Sequence, residues 1–292
     1  MKYFSAKLIL WGVLCLFLNS DCYALTDNSK NSLVMGVFPR RNAKLTFELF
    51  KPMVQYLEAQ LGRKIELVTS KDFETFWQGV ENKRYDIVHF NQYHYVVSHD
   101  KYGYEVILKN NEFNESTIAG SIIVRTDSNI NNVTDLKGKK IVFGGSTQAM
   151  QSYIVTTYLL RKAGLRYGDY IEEFAKNPPN AIFSSYYKQS DAAGAGDKVL
   201  RLDVVQNRVD ISKMKYLVTG EQLPHLPWAV RSGFNLKLKK RIQKLLSQLG
   251  DSEEGKEVLR SAHLTGLELA TDSEYNKHRE IIKLVFPKLE IK

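Results

Sequence analysis

Gly144-Gly145-Ser146-Thr147-Gln148 sets two glycines and two hydroxyls directly before a helix-compatible stretch from about Ala149 to Ala163 that closes on Gly164. Free N–H groups at a helix start carry a partial positive charge, and glycines let a ligand approach the main chain, so this order suits capture of an anion or carboxylate. It equally suits a plain N-cap behind a flexible turn. Phe90, Asn91 and Tyr93 follow another apolar run. If that run is a strand of an open α/β sheet, they stand at the carboxyl edge, where solutes are stacked upon or hydrogen-bonded; local core packing is the alternative. Arg40 and Arg41 occupy the same kind of position after a first run, and either could pair with an anion. Asp191 opens the small-residue segment Asp191-Ala-Ala-Gly-Ala-Gly196. Its carboxylate has work only if the solute carries a cationic group; otherwise it caps local backbone.

Catalysis has less to draw on. The six histidines are His89, His94, His99, His225, His263 and His278, and the first three, five residues apart, fall on different helical faces. They do not make a metal site, and none is expected; His89 reads as a strand-end histidine. No H-E-x-x-H, G-x-S-x-G or P-loop pattern occurs. The carboxylate pairs Glu172-Glu173 and Glu253-Glu254 read as solvated faces. No enzyme activity and no cofactor are expected.

The elements that must position these residues alternate. Leu33–Phe38 is a short buried strand stopped by Pro39. Leu45, Leu49, Met53, Tyr56, Leu57 and Leu61 then recur at helical steps up to a stop at Gly62, with Pro52 as a point of kinking. Lys64–Val68 alternates as a strand, Asp72 to about Lys83 carries Phe73, Phe76, Trp77 and Val80 on one helical face, and Tyr85–Phe90 returns as a strand. This β-α-β-α-β order specifies a mostly parallel sheet flanked by helices. A second unit runs from strand Ser121–Val124 through Val133–Gly138 to strand Lys140–Phe143, the glycine turn and its helix. Lys215–Thr219 is a last strand, followed by helical stretches near Leu236–Leu249, Glu253–Ala262 and Ser273–Val285. No repeat, low-complexity linker or heptad pattern is present.

From Val34 to about Arg231 the chain resembles the periplasmic solute-binding proteins of phosphate, phosphite and phosphonate ABC transporters, a group with the type II binding-protein fold. The matching stretches are Gly36-Val-Phe-Pro39, Tyr56-Leu-Glu-Ala-Gln-Leu-Gly62, Tyr85-Asp-Ile-Val88, residues 127–143, Asp191-Ala-Ala-Gly194 and Leu223-Pro-His-Leu-Pro-Trp-Ala229, in that order. The resemblance implies an α/β protein of two lobes, each a mostly parallel sheet flanked by helices, with a ligand cleft between them that closes on binding. It places lobe 1 at 25–118 and 216–292 and lobe 2 at 119–215, the chain returning through Tyr216–Thr219. Phe90 and Asn91 then form one wall, and the turn and helix start from Gly144 to Ser152 the other. A small, anionic solute and a membrane permease are the implied partners; a sensor-kinase ectodomain is the alternative recipient, and a monomer is expected.

The site departs from the family. Members that hold a phosphonate carry Ser-Thr-Ser-Gly at the start of the second-lobe helix, and in that register this chain has Ala149, Met150, Gln151 and Ser152. Each lost charge-assisted hydrogen bond costs about 1–3 kcal/mol, so Ser146, Thr147 or an arginine has to compensate. A His-Glu pair that some members use on the ligand corresponds to Pro178-Pro179.

Lys2 and Lys7 precede the apolar stretch Leu8–Leu18, which gives way to Asn-Ser-Asp-Cys-Tyr-Ala24, the layout of a secretory signal peptide cleaved after Ala24. Eleven apolar residues fall short of the about 20 that a spanning helix needs; a retained anchor and a lipoprotein are the alternative readings. Both cysteines, Cys15 and Cys22, leave with this segment, which removes disulfides, thiol catalysis and thiolate metal sites from the mature chain. The composition, 292 residues with 43% hydrophobic and 25% charged, is that of a globular protein long enough for two cores. Lys and Arg number 41 against 32 Asp and Glu, a net +9 that falls to +8 on loss of Lys2, Lys7 and Asp21. No run of five like charges tracks a phosphate backbone, and nucleic acid is not an expected partner.

Overall fold

The computed structural model describes residues 32–291; the expected export segment, its cleavage point and both cysteines lie outside the described residues. Among the described residues no helix is long and apolar enough to cross a membrane.

The first half opens with β1 (Ser32–Val37), α1 (Ala43–Leu61), β2 (Lys64–Thr69), α2 (Phe73–Glu81), β3 (Ile87–His89), α3 (Gln92–Tyr102) and β4 (Glu105–Asn111). Local signals set these ends. Asn42 Oδ1 accepts the Leu45 N–H to start α1, and Gly62, at φ 61°, ends it; the helix runs on through Pro52 at the cost of one backbone hydrogen bond. The two-residue β5 (Thr117–Ile118) leads out to β6 (Gly120–Arg125), β7 (Lys140–Gly144), a π-helical turn Met150–Val155, α4 (Thr156–Lys162), β8 (Ile171–Ala175), α5 (Pro178–Tyr186), β9 (Ala192–Gly196), α6 (Asp203–Gln206) and β10 (Met214–Thr219). The chain returns through β11 (Leu223–Pro224) to β12 (Pro227–Val230), α7 (Leu236–Ser247), α8 (Glu253–Ser261), β13 (Gly266–Leu269) and α9 (Asn276–Val285).

Two sheets result, ordered β13-β4-β12-β3-β1-β2 and β10-β6-β9-β7-β8, with β5 and β11 paired alone between them. This is the two-lobed α/β architecture. Each sheet is more mixed than the strand–helix alternation implies: β1 runs parallel to β2 and β3, but β12 is antiparallel to both β3 and β4. Parallel pairs form where a helix crosses over, and antiparallel ones where the chain arrives from the other half. The strand expected to carry the chain back is instead the edge of the second sheet. β10 pairs antiparallel with β6 from Met214 opposite Arg125 to Thr219 opposite Ser121.

The apolar side chains of β1, β3 and β12 alternate between two layers. Met35, Val37, Ile87 and Trp228 pack under α1, α7 and α8, while Val88, Phe90 and Ala229 join a cluster with Phe76 and Tyr95 that continues into Phe143, Met150 and Ile154 of the second half. The segment read only as small-residue, 192–196, is the fully buried central strand β9. Its size is explained by what lies on it: a Cβ at Gly194 would stand 2.5 Å from the Ser152 carbonyl oxygen, and one at Gly120 would stand 2.5 Å from that of Gln151. Both glycines let the π-helical turn rest directly on the sheet.

Candidate functional site

β7 ends at the glycine turn, and the chain reverses there because Gly145 takes φ 121° while its N–H donates to the Ala175 carbonyl at 2.8 Å. Gly144 has no room for a side chain, since a Cβ would lie 2.3 Å from Cα of Pro178. The Pro178-Pro179 pair therefore opens α5 against the turn, with Asn177 as its cap. Ser146 Oγ accepts the Gln148 N–H at 3.2 Å, and the Ala149 N–H donates to the Ser146 carbonyl. The chain does not continue as a single helix from Ala149 to Ala163. The N–H groups of both Tyr153 and Ile154 donate to the Ala149 carbonyl, which widens the first turn to π geometry before α4 begins. Such an insertion is rare and recurs at functional positions.

The opposite wall is the start of α3. Asn91 caps that helix by accepting the His94 N–H on Oδ1 at 2.9 Å, and its Nδ2 donates to the Gln148 carbonyl at 3.3 Å. His94 Nε2 meets Gln148 Oε1 at 3.0 Å, so Gln148 touches the first half through both main chain and side chain. The His94 ring is held flat on Phe73, centroids 5.2 Å apart, beside Trp77. Tyr93 is half-buried, with its ring edge-on to those of His94 and Phe286. The wall against which Gln148 rests is thus largely aromatic.

Gln148, in the turn with Ser146 and Thr147, therefore meets Asn91 and His94, with Tyr93 beside His94 and with Gln151 and Ser152 in the π-helical turn that follows. Ala149 packs on the core, and Met150 is 2% exposed within it, so these two offer main-chain groups only. Gln151 is 7% exposed, yet neither Oε1 nor Nε2 has a hydrogen-bond partner among the described residues. Phe90 does not reach a solute: it is fully buried with its ring against Phe76, Tyr95 and Tyr104, because strand alternation turns it into the layer below α2 and α3. Asp191 lies at the wrong end of its sheet. Its Oδ2 accepts the Lys140 N–H at 2.9 Å, beside the start of β7, whereas Gly144 marks the other end of that strand. Arg40 is engaged with Glu112, Nη1 to Oε1 at 2.8 Å. His94 was not singled out from sequence, although its place three residues after a capping asparagine is the signal that would have found it.

A family model described as ABC transporter, phosphonate, periplasmic substrate-binding protein matches residues 35–275. Among solved structures, a binding protein component of an ABC phosphonate transporter from Pseudomonas aeruginosa superposes with a TM-score of 0.74 at 16% identity, covering 87% of this chain and 86% of its own. PhnD1 from Prochlorococcus marinus, in complex with methylphosphonate, gives 0.75 at 15% identity over 87% of this chain and 98% of its own. A Xanthomonas citri protein bound to ATP gives 0.75 at 15% identity, covering 89% of this chain and all of its own. At these identities the likeness is one of fold.

Proposed function

Because this chain belongs to the family of periplasmic substrate-binding proteins of phosphonate ABC transporters, and is a binding protein rather than an enzyme, we propose that it captures a monoprotonated oxyanion, phosphonate- or phosphite-like, between its two lobes. The observation that carries this reading is the meeting of Gln148 with Asn91 and His94 at the glycine turn, beside the unpartnered amide of Gln151. The first N–H groups of a helix have no intrahelical acceptor and suit the anionic oxygens. An amide offers a donor and an acceptor at once, so Gln151 Nε2 serves a P–O⁻ and Oε1 accepts from a P–OH. Ser146, Thr147 and Ser152 add hydroxyls, and Asn91 and Tyr93 close the other side. Arg40, already paired, takes no direct part. In this reading the chain is exported on residues 1–24 and acts as a free monomer that passes its solute to a permease, the lobes meeting at 118–119 and 220–223.

Closure on a solute is a shift between two states set by differential affinity. Thermal unfolding with millimolar phosphate, phosphite, methylphosphonate, 2-aminoethylphosphonate, sulfate and methanesulfonate tests the reading. A micromolar ligand at a thousandfold excess adds about 4 kcal/mol, which moves the midpoint by about 10 °C for a chain of this size. At least one phosphorus oxyanion is expected to do this while sulfate and methanesulfonate, fully deprotonated, do not. Equal shifts with the sulfur oxyanions would remove the role given to Gln151, and no shift with any of the six would remove the oxyanion.

A further inference from the structure

The other layer of the first sheet holds a polar pocket that the cleft does not use. β3 sends Phe90 toward α2 and α3 but His89 to the opposite face, where it stacks on Trp228 at 4.4 Å between centroids and lies against Phe38 and Phe50. A cavity of about 10 Å³ opens beside it, with Arg40, Arg41, Thr46, Asn110 and Glu112 completing the polar lining. That is room for one water-sized occupant.

The charges around this cavity do not balance. Glu112 is buried and is the carboxylate of the lining; Arg40 binds it, and Asn110 Nδ2 donates to the same Oε1 at 3.3 Å. Asn110 is fixed in turn by the Trp228 Nε1–H, which donates to its Oδ1 at 2.9 Å. Arg41 is left over: its guanidinium makes no hydrogen bond or ion pair among the described residues, and burial followed by repulsion from Arg40 lowers its pKa to about 10. His89 is 3% exposed and both its ring nitrogens lack a partner among the described residues. Burial and then the Arg40 charge push its pKa down to about 3, so the ring is neutral and keeps one N–H to donate. The groups that face the cluster from elsewhere leave the surplus in place. His225, behind Glu112, is held near 4 by burial, His263 is also lowered by burial and then by Arg41, and Lys198 pairs with its neighbour Asp197 and with Glu115 across the lobe boundary.

A half-buried positive charge whose nearest carboxylate, Glu112, is already bound to Arg40 is under-compensated, and a guanidinium, a free imidazole N–H and a one-atom cavity together describe its remedy. We propose that the Arg41–His89 pocket is a binding site for a small monovalent anion of halide size, separate from the solute cleft. The inference stands on the pocket's own geometry and does not depend on which solute the cleft takes.

The probes are chloride and bromide, exchanged against gluconate at fixed ionic strength. The unfolding midpoint is expected to rise by about 3 °C between about 1 and 100 mM halide if the site half-fills near 10 mM. Arg41→Met removes that rise, and Arg41 is half-buried, so the variant keeps its fold; Arg41→Lys retains part of it. The response to methylphosphonate or to whichever oxyanion shifts the midpoint stays as in the parent protein. Three results would overturn the proposal: no halide response in the parent, an undiminished one in Arg41→Met, or its loss when the cleft is saturated with the oxyanion, which would merge the pocket with the cleft.

Discussion

Between about pH 7 and pH 4.5 the protein is expected to lose about 5 kcal/mol or more of folding stability, enough to unfold an ordinary domain of this size. Four buried histidines carry the effect. Burial lowers His89 and His278 to about 3 and His94 and His225 to about 4, from an ordinary value of 6.5. Above pH 6.5 folded and unfolded chains both hold neutral rings. Below it the unfolded chain takes up protons that the folded chain refuses, at about 1.4 kcal/mol per ring per pH unit, so stability drains away as pH falls toward the folded values. Even with half of that slope relieved by local opening, the loss over two pH units reaches the figure above. Glu112 acts in the same direction. Its burial opposes ionisation, but the Arg40 charge, then His225, hold it at about 2, so its contribution is present above pH 4.5 and lost on acidification. Urea midpoints at a series of pH values measure the sum, and His278→Leu should make the dependence shallower by about one proton. That ring stacks on Tyr275 with neither nitrogen bonded among the described residues, so leucine sacrifices little. Midpoints that are level from pH 7 to 5 would show the rings to be solvated.

Gly194→Ala is expected to lower stability by about 3 kcal/mol, near 9 °C in the unfolding midpoint, although alanine has the higher strand propensity. The added methyl has nowhere to go. It meets the Phe143 ring and the Ser152 carbonyl, each at 2.5 Å, and neither is the free end of a flexible side chain. Lifting the π-helical turn off the sheet relieves the clash, but that moves Gln151 and Ser152 with it, so binding of an oxyanion should weaken along with stability. A Gly194→Ala protein as stable as its parent would mean that the helix start rests on the sheet loosely. Gly62→Ala provides the contrast: no atom lies near the missing Cβ, and only the φ of 61° penalises the change.

The fold was legible wherever one residue decided an element. Asn42 and Gly62 bracket α1, and Leu33–Phe38, Lys64–Val68 and Lys140–Phe143 coincide closely with β1, β2 and β7. The failures share a cause. Ala192–Gly196 has neither β-branching nor alternation, and its strand exists because the π-helical turn needs small residues beneath it, a tertiary demand that local pattern does not display. α3 was missed because six of its residues are buried, polar and aromatic among them, and no single face carries the hydrophobic signal. At the site, position along the chain singles out Asn91 and the glycine turn, which meet through Gln148, but it does not tell which way a side chain points. Phe90 and Asn91 are neighbours in sequence, yet one is core and the other meets Gln148 across the boundary. Asp191 was drawn in by its small-residue surroundings, and only the register of β9 against β7 shows that it stands at the far end.

The paired strands β5 and β11 join the two halves at Leu223 opposite Ile118 and Pro224 opposite Thr117. In the proposed closure, two connections side by side act as two pins in one door: they suppress translation and most rotations and leave a single soft angle. Two free bodies that clasp a solute between them surrender most of their relative translational and rotational freedom, at a cost of several kcal/mol, whereas this chain has only that one angle left to lose. Pro224 narrows it further, because its φ is fixed before any solute arrives. Most of the entropy of assembling the site is therefore given up during folding, and a handful of hydrogen bonds suffices to hold a small solute.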